Sequence, residues 1–223
     1  MPHPIYSESV EMYLKSLAEF DSREPVAMAR LAERLGVTQV SAGEMVKRLA
    51  EQGFVQHIPY KGVVLTSEGQ KLANNVIRRQ RLWECFLYDH LKLPWSLVYD
   101  LACDLEHATA SEVTEALAQF LSEPVACPHG NPIPDSAGKV PPLDGIPLNL
   151  LEVGQRARVQ AVLATTTDVL QYLESRGLLP GVTFTFVEIA PLQGPLILKI
   201  GEKEISVGAQ IAERVLVKPI SNP

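Results

Sequence analysis

"RLAERLGVTQVSAGEMVKRLAEQGFVQHIPYKGVVLT", residues 30–66, falls into four pieces. The first continues a helix whose apolar face is Met28, Leu31 and Leu35. "LGVT" is a tight turn in which Gly36 takes the left-handed position. Thr38 then caps a helix predicted to run to about Gln52, with Val46 and Leu49 inward, and Gly53 ends it. Last come "FVQHI" and "GVVLT", alternating β-rich runs joined by "PYKG", a hairpin signal.

Upstream, Ser7 to Phe20 reads as another amphipathic helix, because Val10, Tyr13, Leu14 and Leu17 recur at helical spacing. "DSREP" breaks it. Helix, helix, turn, helix, hairpin is the order of a winged helix-turn-helix. A small α+β core with no ligand would share the helices, but the hairpin directly after the third helix favours DNA binding. That helix presents Thr38, Gln39, Val40, Ser41, Glu44, Lys47 and Arg48. Small groups at its start suit base edges and thymine methyls. Lys47, Arg48 and Lys61 in the wing suit phosphates, although such charges usually form a solvated face.

The formal net charge of −6 argues against nucleic acid, but it is unevenly spread. Up to Arg81 the chain carries 11 Lys and Arg against 9 Asp and Glu; beyond it, 9 against 17. A basic front and an acidic back fit a DNA-binding head on a body with another task. No apolar run is long enough to cross a bilayer and no secretory leader is legible, so we expect a cytoplasmic protein with no membrane partner. The cysteines, Cys85, Cys103 and Cys127, do not resemble a disulfide framework and read as free thiols or ligands.

From Ser67 the chain is helical again, Ser67 and Gln70 forming a candidate capping box. Leu72, Val76, Leu82, Phe86 and Leu87 line one side of this long helix, and "KLPWSLVYDLACDLEHA" and "ASEVTEALAQFL" supply two more. "PHGNPIPDSAGKVPPLDGIP" is too rich in Pro and Gly for regular structure. After it, "QRARVQAVL", "TFTFVEI", "PLILKI", "KEISVG" and "AERVLVKPI" read as short strands around one helix, "DVLQYLESRG". The expected fold is multidomain α+β: a winged-helix head over 1–73, a helical dimerisation domain over 74–140, a linker over 141–147, and an SH3-like β-barrel over 148–223.

"VEMYLKSL", "RLAERLGVTQVSAGEMVKRLAEQGFV", "LTSEGQKLA", "ACDLEHATASEV" and "CPHGNPIP" together resemble the diphtheria toxin repressor family of metal-dependent transcriptional regulators. The part from about Leu148 is similar to the FeoA-like barrel that many members carry. The resemblance implies a homodimer that binds double-stranded, palindromic operator DNA when a divalent metal is held between the first helix and the body. Its primary-site pattern falls on Met12, Cys103, Glu106 and His107, which makes the helical domain over 74–140 metal-binding as well as dimerising. Glu44 stands where relatives often carry an amide, so the operator sequence does not transfer.

Cys103, Glu106 and His107 lie at i, i+3 and i+4, on one face of a helix. Thioether, thiolate, carboxylate and imidazole are a mixed set that favours later transition metals, whereas manganese prefers oxygen. We therefore expect Fe(II), with Mn(II) the alternative and Zn, Co or Ni able to substitute in vitro. The bland reading is a buried Cys and a core Met. A catalytic pair of Cys103 and His107 lacks an oxyanion hole or substrate loop, so no enzymatic role is expected.

The family has two versions of a second site. One needs histidines where this chain has Gln80 and Tyr99, with barrel positions near Thr166 and Val169, and is largely missing. The other falls on Glu84, Cys127, His129 and Asp168; a rigid turn with a buried Cys is the competing reading. The expected function is an Fe(II)-activated repressor of iron-uptake genes. The alternatives are a manganese-responsive regulator and a metal-trafficking accessory protein.

Overall fold

A computed structural model describes residues 6–20, 24–163 and 166–220. The helix-breaking residues 21–23 lie outside this range. The helices and strands follow in chain order: α1 (Glu8–Glu19), α2 (Met28–Leu35), α3 (Gln39–Glu51), β1 (Val55–Ile58), β2 (Gly62–Leu65), α4 (Ser67–Asp89), α5 (Val98–Glu106), α6 (Ser111–Phe120), β3 (Ile146–Pro147), β4 (Arg156–Val162), α7 (Thr167–Arg176), β5 (Thr183–Ile189), β6 (Leu196–Ile200), β7 (Lys203–Val207), α8 (Ala209–Ala212) and β8 (Val215–Ile220). They fall into two compact units: Met1–Gln80, Leu105–Ala116 and Pro134–Val140; and Arg81–Asp104, Leu117–Ile133 and Pro141–Pro223.

In the first unit, Leu14 of α1, Leu31 of α2, Ala42 and Leu49 of α3, and Val63 of β2 are fully buried in one core. Gly36 closes α2 at φ 65°, its amide donating to Ala32 and Glu33 carbonyls. Thr38 caps α3 by accepting from the Ser41 amide at 3.1 Å. β1 and β2 pair antiparallel from Val55↔Leu65 to Ile58↔Gly62. Val26 bridges Val63 on the other side, so the wing is tied to the start of α2.

The cap of α4 differs from the expected Ser67–Gln70 box. Thr66, one residue earlier, accepts from the Gly69 amide at 3.1 Å and donates to the Gly53 carbonyl at 2.7 Å. Ser67 is already helical, and the Gln70 amide donates to Asn74 instead. The Thr66 hydroxyl can serve the helix and the end of α3 together, which a residue inside the helix cannot.

In the second unit, one antiparallel six-stranded sheet runs in the order β3-β8-β4-β5-β6-β7. Leu170 and Leu173 of α7 pack with Phe184, Phe186, Leu198 and Trp95 in its core. A smaller cluster joins Leu82 and Cys85 of α4 to Leu117, Ala118, Cys127 and Ile133.

Gly62 stands at φ +135°, and a Cβ there would meet the Val26 carbonyl oxygen at 2.2 Å. Gly62→Ala should destabilise the first unit by about 2–4 kcal/mol, from backbone strain and the lost bridge. Denaturant unfolding followed through this unit measures it; an unchanged midpoint contradicts the account.

Candidate metal centres

The first centre lies around the end of α5. Glu106 is its last helical residue and is fully buried; His107 follows immediately. Both Glu106 oxygens lie near one ammonium, Lys15 Nζ, at 2.7 and 2.9 Å. Lys15 is itself buried. Four residues back on α1, Glu11 accepts from Arg79 Nη2 at 2.6 Å and lies 2.7 Å from His107 Nδ1. Arg79 Nε also donates to the Glu106 carbonyl at 2.8 Å. The guanidinium thus satisfies an orphan carbonyl at the helix end, where a cation is favoured.

These contacts set the protonation states. Burial pushes the Glu11 carboxyl up, but the His107 hydrogen bond and the Arg79 charge outweigh it and the net direction is down. An ionised Glu11 accepts from Nδ1–H, which fixes the ring. His107 Nε2 then faces Glu106 Oε1 at 3.2 Å, buried and without a hydrogen-bond partner. An imidazole nitrogen and a carboxylate oxygen so placed can share one cation. That is a fit for a divalent metal, with Glu106 and His107 as ligands. Burial also raises the Glu106 carboxyl, to about 7, despite the opposing Lys15 charge. Met12, between Glu11 and Lys15 on α1, is half-buried. Cys103, also half-buried, lies one turn before Glu106 on α5.

The second centre belongs to the second unit. Glu84, Cys127 and His129 are all buried, with donor atoms within 4.8 Å of one another. Among the described residues this is the one group of three or more His, Cys, Asp or Glu so gathered. His129 Nε2 donates to the Trp95 carbonyl at 3.0 Å, leaving Nδ1 at 2.9 Å from Glu84 Oε2. Burial would raise the Glu84 carboxyl, yet the His129 hydrogen bond and charge, the Cys127 thiol and Arg81 bring it below its ordinary value. Burial and the Glu84 charge push the Cys127 thiol well up. Imidazole, carboxylate and a thiol that a metal would deprotonate form a closed, mixed donor set that fits a transition metal.

The "CPHG" stretch is built against β4. The His129 carbonyl accepts from the Val162 amide at 2.8 Å, and the Asn131 amide donates to the Val162 carbonyl at 3.0 Å. A Cβ on Gly130, at φ +82°, would meet the Gln160 carbonyl at 2.0 Å. Asp168 is exposed in the first turn of α7 and stands outside the three-residue group. The α7 carboxylate that reaches this region is Glu174. It accepts from the Trp95 amide at 3.1 Å and from Ser96 Oγ at 2.6 Å, directly behind the carbonyl that holds His129.

On the head, Thr38, Gln39, Val40, Ser41, Glu44, Lys47, Arg48 and Lys61 are all exposed. Val40 is 73% exposed at the start of α3, an apolar side chain left open where base edges would be read.

The chain matches three families in succession: iron dependent repressor, N-terminal DNA binding domain, over residues 6–63; iron dependent repressor, metal binding and dimerisation domain, over 66–135; and FeoA domain, over 146–219. It is 30% identical to the diphtheria toxin repressor of Corynebacterium efficiens, covering 96% of each chain. The chain belongs to the iron-dependent repressor family. The iron-dependent repressor IdeR of Mycobacterium tuberculosis is 29% identical over 96% of this chain and 98% of its own. A solved manganese-dependent transcriptional repressor in complex with manganese superposes with a TM-score of 0.87, at 30% identity, over 95% of this chain and 100% of its own. ScaR with bound Zn2+ superposes at 0.83, with 29% identity, over 95% and 99%.

For this member of the iron-dependent repressor family, sequence reasoning missed Glu11, Lys15, Arg79 and Trp95, which surround the candidate ligands. Glu11 and Lys15 carried a signal: two charges at i and i+4 on a helix otherwise lined by Val10, Leu14 and Leu17. Glu11→Gln should weaken metal binding at the first centre by about 10–100-fold, because the carboxylate that orients the ring is lost. Co(II) titration of the purified variant checks this; unchanged affinity removes Glu11 from the site.

Proposed function

We propose that this chain is a metal-activated transcriptional repressor that binds a palindromic operator as a homodimer. Its effector is Fe(II), with Mn(II) the alternative, and its targets are iron-uptake genes. The observation that carries the reading is His107 Nε2: buried, unbonded, facing Glu106, and pinned through its other nitrogen. The primary set is Met12, Cys103, Glu106 and His107. The softness of the first two supports Fe(II) over Mn(II). The second set is Glu84, Cys127 and His129, with Asp168 its proposed fourth member.

When bound, the metal supplies the charge that lets thiolate, carboxylate and imidazole share one buried point. Glu11 keeps His107 Nδ1 protonated and the ring oriented. Met12 ties the head's first helix to that point. The head's freedom is thereby reduced, and two recognition helices in a dimer can hold the spacing of successive major grooves. Metal and DNA then favour the same state, which is a coupling free energy. We assign the head to 1–73, the body to 74–140, the linker to 141–147 and the FeoA-like part to 148–223. Among the described residues no helix is long and apolar enough to cross a membrane, which agrees with a cytoplasmic regulator.

A gel shift on the gene's own upstream region and neighbouring promoters tests this, run anaerobically with and without Fe(II) or Mn(II). A metal-dependent shift is expected, and its absence on every such fragment rejects the regulator reading in favour of a trafficking protein. Combined Met12→Ala and Cys103→Ala should abolish the Fe(II) dependence; survival means the primary site is misassigned. Lys47→Ala should weaken binding across sequences and reduce the slope of log K against log salt by about 1. A slope equal to wild type would leave Lys47 on a solvated face.

A further inference from the structure

Lys15 is the residue of the first centre that the proposed ligand set leaves without a task. Its nearest carboxylates along α1 are Glu11 and Glu19, four residues to either side, yet its ammonium lies against Glu106, 91 residues away. It sits 2.7 and 2.9 Å from the two carboxylate oxygens, astride the place where a cation chelated by that carboxylate would lie. Lys15 is 2% exposed and Glu106 0%. Neither is in contact with bulk water, so the ammonium acts on the carboxylate more strongly than it would across an exposed surface pair.

The surroundings give the same picture. The charged groups bonded to one another here are Glu11 and Lys15 from α1, Arg79 from α4, and Glu106 and His107 at the end of α5; Glu19 of α1, itself paired with Arg34, adds a weaker negative charge on Glu106. Two carboxylates face two permanent cations. Glu11 already has Arg79 and Glu106 already has Lys15, so an arriving dication finds no carboxylate without a cationic partner among these residues.

We propose that Lys15 is a resident cation of the first metal centre: its ammonium occupies Glu106 in the metal-free protein and competes with the metal for that carboxylate, lowering the centre's affinity. The inference rests on the reading of Glu106 and His107 as ligands. A sensor needs an affinity matched to the free metal level it reports. An internal competitor sets that level without changing a single ligand, and it keeps the buried carboxylate compensated when no metal is present. Lysine suits the task because its ammonium is a compact point charge on a flexible stem, able to swing aside.

The test is Co(II) binding, read by the ligand-field bands and by the metal-induced rise in melting temperature. It is run in a Cys127→Ala background so that the second centre is silent. Lys15→Met, close to isosteric, should bind Co(II) at least about tenfold more tightly than its parent and show a larger metal-induced rise in melting temperature. Lys15→Arg keeps the charge and should stay within about threefold of the parent. If Lys15→Met binds Co(II) equally or more weakly, Lys15 is a structural ion pair and the inference fails. Should Lys15→Met fail to fold without metal, Lys15→Arg decides: an affinity more than tenfold from the parent overturns the proposal. Glu106→Gln separates this failure from that of the underlying reading. If the parent's Co(II) binding survives Glu106→Gln, Glu106 is no ligand and both fall.

Discussion

The buried pair of Lys15 and Glu106 sets the terms for the first unit's inner surface. A carboxylate with no exposure needs a neutralising partner or a proton, and removing one partner of such a pair costs about 3–5 kcal/mol. The same constraint recurs around it. Glu11 is held between Arg79 and His107, and Glu84 is held by His129. Arg79 does two things at once, neutralising Glu11 and closing the last carbonyl of α5. Burial is therefore bought with pairing, and the pairing determines which atoms stay free for a ligand.

Both centres solve one problem in the same way. Each histidine is fixed through one nitrogen by an oxygen acceptor that is not a candidate ligand: the Glu11 carboxylate for His107, the Trp95 carbonyl for His129. The other nitrogen then faces a buried glutamate. The anchoring atom is Nδ1 in one case and Nε2 in the other, so the two rings present opposite edges. A ring fixed in this way loses little further entropy when a cation arrives. The two centres differ in what compensates the glutamate beforehand. Glu106 has a lysine at salt-bridge distance, whereas Glu84 has the imidazole itself and a thiol hydrogen bond.

How much of this was legible depended on whether the signal was local. Gly36, Thr38 and Gly53 mark α2 and α3 because turn and cap chemistry is decided within a few residues. α1 ends where its flanking residues, Ser7 and Phe20, were read. The "CDLEH" spacing placed Glu106 and His107 together, although His107 stands one residue beyond the helix. Glu11 and Lys15 were lost for the opposite reason. A Glu–Lys pair at i, i+4 is an ordinary surface ion pair on a helix, and its setting among Val10, Leu14 and Leu17 hints at burial without naming the other partners to which both side chains turn. Burial of that face is a tertiary fact. α7 illustrates the same limit: nothing local to it says that Glu174 accepts from the Trp95 amide and Ser96 Oγ, and so supports the segment whose carbonyl holds His129.

The Pro- and Gly-rich stretch after α6 shows why irregular does not mean unstructured. Its composition disfavours helix and long strands, yet the reading of it as wholly irregular fails at its end, where the two-residue strand β3 (Ile146–Pro147) pairs with β8. It still satisfies its backbone, the His129 carbonyl accepting from Val162 and the Cys127 amide donating to the Asn131 carbonyl. Gly130 permits the approach to β4 that any side chain would block. A helix would space Cys127 and His129 about 200° apart around its axis. The turn instead brings both to Glu84, within 4.8 Å. The residues that break regular structure are thus the ones that let two donors two positions apart converge, and the close fit against β4 holds the turn that carries them.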